Sequence, residues 1–238
     1  MYSFSSHARS ELLAICSPQR TLLRYLDRVA YASDASLYRL IPLAVVQPRS
    51  TEEIKSIFQW SHHYQIPITL RTAGTSLSGQ AISDGLLIDL SKYWRALEVC
   101  NQGQSIWLQP GVIGAHANLV LQSYQRKIGP DPASIQACMI GGILANNASG
   151  MCCGVKDNAY HSLESLAFIL PNGQSFNTAT PDDYRRFEQD CPELSQGLLS
   201  LRHRILSNKP LHHRIRQKYR QKNTTGYSLN APVDQGLK

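Results

Sequence analysis

Charge is scarce in this chain: only 17% of its 238 residues are Asp, Glu, Lys or Arg, against about a quarter in an ordinary soluble domain. Hydrophobic residues stand at 42%. That excludes a globally disordered chain and fits a protein that buries much of itself or wraps a large ligand. Long apolar runs are missing. No stretch reaches the roughly 18 residues of a spanning helix, and the opening MYSFSSHARSELL lacks the apolar segment of a secretory leader. The six cysteines, at 16, 100, 138, 152, 153 and 191, form no CxxC pair and no metal-ligand spacing with histidine. A zinc module is thereby excluded, and free thiols in a reducing cytoplasm are expected.

Acidic residues are absent from residues 202–222, where eight Lys and Arg gather. The chain carries a net +7, so the remainder sums to about −1. The excess is local, not a general nucleic-acid footprint. It reads either as a solvated basic helix or as a face for an acidic partner.

Residues 1–35 read as helical, with Leu22, Leu23, Leu26 and Val29 recurring at helical spacing after Pro18. LAVVQ is a short apolar run closed by Pro48. Ser50 or Thr51 then caps a helix with Glu52 and Glu53 in its first turn and Ile54, Ile57, Phe58 and Tyr64 on one face. IPITLR and LLIDL are strands on either side of a polar loop. Residues 96–109 read as a hairpin, PGVIGAHANLVLQSYQRK as a helix, SLESLAFILPNGQSF as two strands about an Asn-Gly turn, and ELSQGLLSLRHRIL as a helix. The closing KNTTGYSLNAPVDQGLK carries no element of its own. The expected fold class is α+β, in two lobes.

Two glycine-bearing loops carry the chemistry. RTAGTSLSGQ, residues 71–80, leaves a strand with two glycines, four hydroxyl side chains and no carboxylate. It has no Gly-Lys-Ser/Thr, so it is not a Walker loop, and its G-x4-G spacing is not a Rossmann fingerprint. Gly74 and Gly79 permit positive φ and close approach, and successive N–H groups can form a nest for phosphate oxygens. A tight polar turn between two strands is the alternative. IGGILANNASG, residues 140–150, is too apolar for a surface loop and too glycine-rich for an ordinary helix. It suits backbone packed on a flat ligand, or glycines for helix packing with asparagines as a C-cap. GPDPAS before it is a stiff loop.

Taken together, the order VVQPRSTEEIKSI, PITLRTAGTSLSGQ, IWLQPGV and GPDPAS…IGGILANNASG resembles the FAD-binding domain of the vanillyl-alcohol oxidase (PCMH) type. The form with GPDPAS and GGILANNASGMCCG is most similar to FAD-linked D-2-hydroxy-acid dehydrogenases, the D-lactate dehydrogenase, glycolate oxidase subunit and D-2-hydroxyglutarate dehydrogenase group. The resemblance covers about residues 38–230. It implies a small βαββ lobe at 38–95 and a larger mixed-sheet lobe at 96–238, after an N-terminal helical extension at 1–37.

The resemblance also places a cofactor. Arg71, Ala73, Gly74, Thr75, Ser76, Leu77, Gly79 and Gln80 match the loop that lines the FAD diphosphate. Pro130, Asp131, Pro132 and Ser134 match a loop beside the flavin and ribityl chain, and Gly141, Gly142, Asn146, Ala148, Ser149 and Gly150 a second FAD-contacting turn. Covalent relatives have His where this chain has Thr75, so non-covalent FAD is implied. The resemblance implies a domain that runs on past KNTTGY to a Gly-Ser-Glu-Gly-type motif and a substrate domain, whereas the sequence stops at Lys238. The expectation is therefore the N-terminal part of a longer flavin-dependent oxidoreductase of a D-2-hydroxy acid, with catalytic residues, substrate groups and any iron–sulphur cluster elsewhere. It would sit in the cytoplasm or peripherally at the inner membrane. A non-catalytic remnant or subunit that needs a partner chain to hold FAD is the second reading. An NADPH-using cell-wall sugar reductase of the same superfamily is a distant third.

The remaining candidates are structural. His62 with His63 and His212 with His213 point to different helix faces, and His116 and His161 stand alone, so no metal site is expected. Asp131 is read as loop-shaping before catalytic. Cys152 and Cys153 are read as small packing residues before a redox pair, and Trp60, Trp94 and Trp107 as core or partly buried.

Overall fold

The strand–helix–strand pattern of residues 43–90 builds a four-stranded sheet. The computed structural model describes residues 4–151, 154–222 and 228–234. Strand β2 (Ala44–Val46) is buried throughout. Pro48 follows it, and the Ser50 hydroxyl then caps helix α3 (Thr51–Tyr64), accepting the Glu53 N–H at 3.3 Å. Ile54, Ile57 and Trp60 line the buried face of α3, with Phe58 and Tyr64 packed on the same cluster. Gln65, at φ 53°, closes the helix in the left-handed region. Strands β3 (Ile68–Arg71) and β4 (Leu86–Asp89) run parallel to β2, with β4 in the middle. Every residue of β4 is buried, as a parallel strand covered on both faces requires. Each buried Leu or Ile there contributes about 1.5–3 kcal/mol.

The first 35 residues are not one helical run. Helix α1 (Ser6–Cys16) ends at Ser17, φ 63°, a 3₁₀ turn follows, and strand β1 (Thr21–Leu22) pairs antiparallel with β2 before the short helix α2 (Tyr25–Ala30). The helical spacing of Leu22 and Leu26 misleads because β1 gains ladder hydrogen bonds on the open edge of β2, leaving Leu26 76% exposed. Helix α1 is part of the core. Ala8, Leu12 and Cys16 join Trp60 and the β2 and β4 side chains, and the Trp60 indole N–H donates to the Ala8 carbonyl at 2.9 Å. Arg20 locks β1 to α3 through two bonds to the Glu53 carboxylate, at 2.6 and 2.7 Å.

Residues 97–108 form the expected hairpin, β5 (Leu97–Cys100) with β6 (Ser105–Leu108). Trp107 faces outward from it and is 43% exposed, at the outer limit of the core or partial burial expected. Helix α4 (Gly114–Leu121) is shorter than its sequence pattern. A 3₁₀ turn and Gln125 at φ 56° end it before Arg126. Helices α5 (Ile140–Ala145) and α6 (Ala159–Ser162) and a second hairpin, β7 (Ala167–Ile169) with β8 (Ser175–Asn177), follow. Among the described residues the two hairpins are separate sheets. Val112, Ala117, Cys138, Ile140, Ile143 and Ala159 form a second core. Helices α7 (Pro181–Asp190), α8 (Pro192–Ser207) and α9 (Lys209–Lys218) cover the C-terminal part. A four-residue helix α10 (Ala231–Asp234) stands where no element was expected.

Candidate functional site

Parallel strands β2, β4 and β3 end on the same edge of the sheet, and the first glycine loop leaves from β3 there. A buried polar network closes that edge. Asp89 accepts the Tyr31 hydroxyl at 2.8 Å, the Gln47 amide at 2.9 Å and the Ser91 N–H at 2.8 Å. Burial, then the Asp89 charge beside it, pushes the Tyr31 hydroxyl up to about 12.

Arg71 turns its guanidinium inward. Its Nη1 donates to the carbonyls of Ser33 (2.9 Å), Ala81 (3.2 Å) and Tyr31 (3.3 Å). It lies directly under Gly74, whose φ is +70°, so a Cβ there would stand 2.5 Å from Nη2. Segment 31–38 backs the loop in the same way. Ala35 N–H donates to the Gly74 carbonyl at 3.0 Å, and the Tyr38 ring packs on Gly79, at φ +72°. Asp34 accepts the N–H groups of Ser36 (2.9 Å) and Ala81 (3.3 Å). Partial burial opposes the Asp34 charge, but these bonds and the Arg71 charge outweigh it and hold the carboxyl below its usual range.

Bracing from behind leaves the front of the loop uncommitted. Among the described residues, the backbone N–H groups of Gly74, Thr75, Ser76 and Leu77 donate to no protein acceptor. Thr75 and Ser76 are half-buried and Leu77 and Gln80 exposed. The Ser76 hydroxyl bonds Gln80 Oε1 at 2.8 Å and accepts the Ser78 N–H at 3.2 Å, which holds the turn open. A half-buried row of free amides fits an anionic oxygen cluster such as a diphosphate.

The second glycine segment meets the first. A Cβ on Gly141 would stand 3.0 Å from Thr72 Cγ2 and 2.8 Å from Pro110 Cβ, and one on Gly142 would lie 3.6 Å from Thr72 Oγ1. Gly141 therefore serves the close packing of α5 against the first loop and the turn at Pro110, where its N–H donates to the Pro110 carbonyl at 2.9 Å. Asn146 is exposed, and Ala148 and Ser149 are half-buried. Asn147, at φ 44°, spends its side chain on Tyr160 N–H (2.9 Å) and the Ser228 hydroxyl (3.2 Å).

The Pro-Asp-Pro loop closes on the far end of that segment. Pro130 is buried, Pro132 half-buried and Ser134 exposed. Gly150 lies against Asp131 so closely that any Cβ would run into its carboxylate and carbonyl. Asp131 Oδ1 is buried and has no partner among the described residues. An orphaned acceptor of this kind fits a ligand hydroxyl or N–H. Cys152 and Cys153 lie outside the described residues, and no cluster of three His, Cys, Asp or Glu is placed to hold a metal among the described ones.

Sequence reasoning missed the supporting segment, Tyr31, Ser33, Asp34 and Tyr38. A turn-forming Asp-Ala-Ser at 34–36 was the available signal. It carries no mark of its distant partners.

A four-stranded sheet with a braced polar loop, packed on a glycine-opened helix from a second core, defines a nucleotide-cofactor-binding domain. The chain belongs to the FAD binding domain family, whose profile matches residues 42–179. The glycolate oxidase subunit GlcD of Escherichia coli strain K12 is 34% identical over 150 residues, which is 62% of this chain and 30% of GlcD. D-2-hydroxyglutarate dehydrogenase of Haemophilus influenzae is 28% identical over 203 residues, 83% of this chain and 19% of that protein. The chain thus spans about a third or less of the length of these relatives. Among solved structures, alkyldihydroxyacetonephosphate synthase superposes with TM-score 0.63 at 21% identity, over 76% of this chain and 36% of that one. For p-cresol methylhydroxylase the TM-score is 0.61 at 16% identity, over 74% and 36%. The fold is the PCMH type that the two loop motifs implied. No described helix is long and apolar enough to cross a membrane.

Proposed function

We propose that this chain is the FAD-holding part of a flavin-dependent oxidoreductase acting on a D-2-hydroxy acid. The carrying observation is that the row of free amides at residues 74–77 and the glycine-opened helix α5 are joined through Thr72. In this reading Ala73, Gly74, Thr75, Ser76, Leu77, Gly79 and Gln80 line the diphosphate. Arg71 acts from beneath, holding three carbonyls so that the amides face outward. Pro130, Asp131, Pro132 and Ser134 run beside the ribityl chain, with Asp131 Oδ1 accepting a hydroxyl. Gly141, Gly142, Asn146, Ala148, Ser149 and Gly150 form the second turn, its path set by Asn147 and by the contact of Gly150 on Asp131. Bound FAD would supply the two-electron acceptor, held non-covalently because Thr75 offers no ring nitrogen. In this reading residues 38–95 and 96–238 are the two lobes, with the N-terminal extension 1–37 set before them and its helix α1 packed on the first. The hydroxy-acid site and the onward electron acceptor belong to polypeptide beyond this chain, in a cytoplasmic setting consistent with the free thiols of Cys16, Cys100, Cys138 and Cys191.

A flavin spectrum of the purified chain, with FAD titration by fluorescence quenching, tests the reading. Saturable one-to-one quenching supports it. A folded protein that takes up no FAD favours the second reading, a subunit that holds FAD only with a partner, to which the unpaired basic face of α8 and α9 lends weight.

A further inference from the structure

The basic run of residues 202–222 folds as the second half of α8, the whole of α9 and the segment after it, hinged at Asn208, whose side chain caps α9 through the Leu211 N–H at 3.0 Å. Each helix buries one residue of this stretch, Ile205 and Ile215. Arg204, Lys209, Arg214, Arg216, Lys218 and Arg220 are exposed. None of the eight cations enters an ion pair with a described residue. The ion pairs among the described residues lie elsewhere, on His7, Arg20, Arg24 and Arg186. Among the described residues, Lys222 donates to the Gly150 carbonyl at 2.7 Å. With the rest of the chain near neutrality, this surface is a concentrated, uncompensated positive field.

Leucines stand among the cations: Leu199 is 50% exposed, Leu201 and Leu206 40% each, and Leu211 38%. Apolar area mixed with arginine is the composition of a protein–protein contact. The arrangement is poor for the alternatives. Half of each leucine is already packed, and the cations of α9 spread around its exposed side, so no free apolar stripe is left to enter an acyl boundary. Tyr219 is the one aromatic residue in the run, which makes no stacking platform for single-stranded nucleic acid.

We propose that the α8 and α9 face is a docking surface for an acidic polypeptide surface, steered by opposite charge and seated on the leucines. The proposal does not depend on FAD binding, and either can fail alone.

The test uses the purified chain and three polyanions at matched charge concentration: poly-L-glutamate, phosphatidylglycerol vesicles and duplex DNA. The expected result is saturable polyglutamate binding that weakens steeply with salt, with vesicles and DNA binding less tightly. Arg204→Glu, Arg214→Glu and Arg216→Glu combined, all at exposed and unpaired positions, should weaken polyglutamate by at least about tenfold and leave the circular dichroism spectrum unchanged. Should the triple variant lose its fold, the single Arg214→Glu, read for a reduced salt slope, takes its place. Absent polyglutamate binding, binding that ignores the substitutions, or tighter binding of vesicles or DNA would each overturn the proposal.

Discussion

At the scale of single residues, the site is controlled by positions where one added atom has nowhere to go. Gly74 combines φ +70° with an Arg71 guanidinium 2.5 Å from any Cβ. That guanidinium is itself tied to three carbonyls and cannot step aside. Gly74→Ala should cost about 1–3 kcal/mol in urea unfolding and weaken FAD quenching at least tenfold. Asp131 gives the opposite pattern in the apoprotein. Its Oδ1 is buried without a partner among the described residues, so Asp131→Ala relieves an uncompensated group. Apo stability should hold or rise, while FAD affinity falls by about 5- to 30-fold, the equivalent of 1–2 kcal/mol for one lost hydrogen bond. Asp131→Asn keeps an acceptor and should bind FAD nearly as the parent does. A fall in both stability and affinity with Asp131→Ala would mean that the carboxylate is structural only.

Between elements, hydrogen-bonded clamps set the pH limits of the fold. The Arg20 guanidinium, first through its hydrogen bonds and despite partial burial, holds the Glu53 carboxyl below its usual value. A carboxyl lowered in the folded state gives stability that is present above the unfolded value and lost as pH falls through the folded one. Asp34 acts in the same direction. Glu53→Gln should therefore destabilise the protein at pH 7 and flatten its acid limb below about pH 4.5, the ordinary value for Glu, read as the urea midpoint against pH. The alkaline limb has the reverse sign. Burial, followed by the nearby Glu53 charge, moves Cys16 up from 9.0 to about 12, and burial with the Asp89 charge moves Tyr31 from 10.0 to about 12. Both groups are held neutral in the folded state. Their contribution is whole below the unfolded values and disappears as pH rises through about 9 to 12. Tyr31→Phe should reduce that slope above pH 10 by the Tyr31 share, leaving the Cys16 share in place, and should lower stability at neutral pH by about 1 kcal/mol, since Asp89 keeps Gln47 and Ser91 as donors.

Across the whole molecule, the two cores meet where Thr72 touches Gly141 and Gly142, and a ligand lying across that contact would bind the folded state alone. At a hundredfold excess over its dissociation constant, FAD should add about 2.7 kcal/mol and raise the melting temperature by several degrees, measured by differential scanning fluorimetry. ADP, which carries the same diphosphate, should give a smaller shift. An FAD response equal to that of ADP would confine recognition to the first loop and exclude the second turn.

Local chemistry was written in the sequence. The Ser50 cap and the hairpin around Gln104 depend on neighbours a few residues away, and the LLID strand and the two glycine loops stand out by their composition, so the sequence exposes them. The resemblance carried the FAD assignment because both loops keep their order. What only the tertiary structure decided rests on partners far apart in the chain. Strand β1 exists because β2 offers an open edge, against a helical pattern of leucines. Arg71 faces inward because carbonyls from residues 31, 33 and 81 gather beneath it, and Gly141 is small because Thr72 and Pro110 press on it. A hydrogen bond between residues forty positions apart leaves no periodic trace, so one chain read alone shows the groups able to make it and not which of them meet.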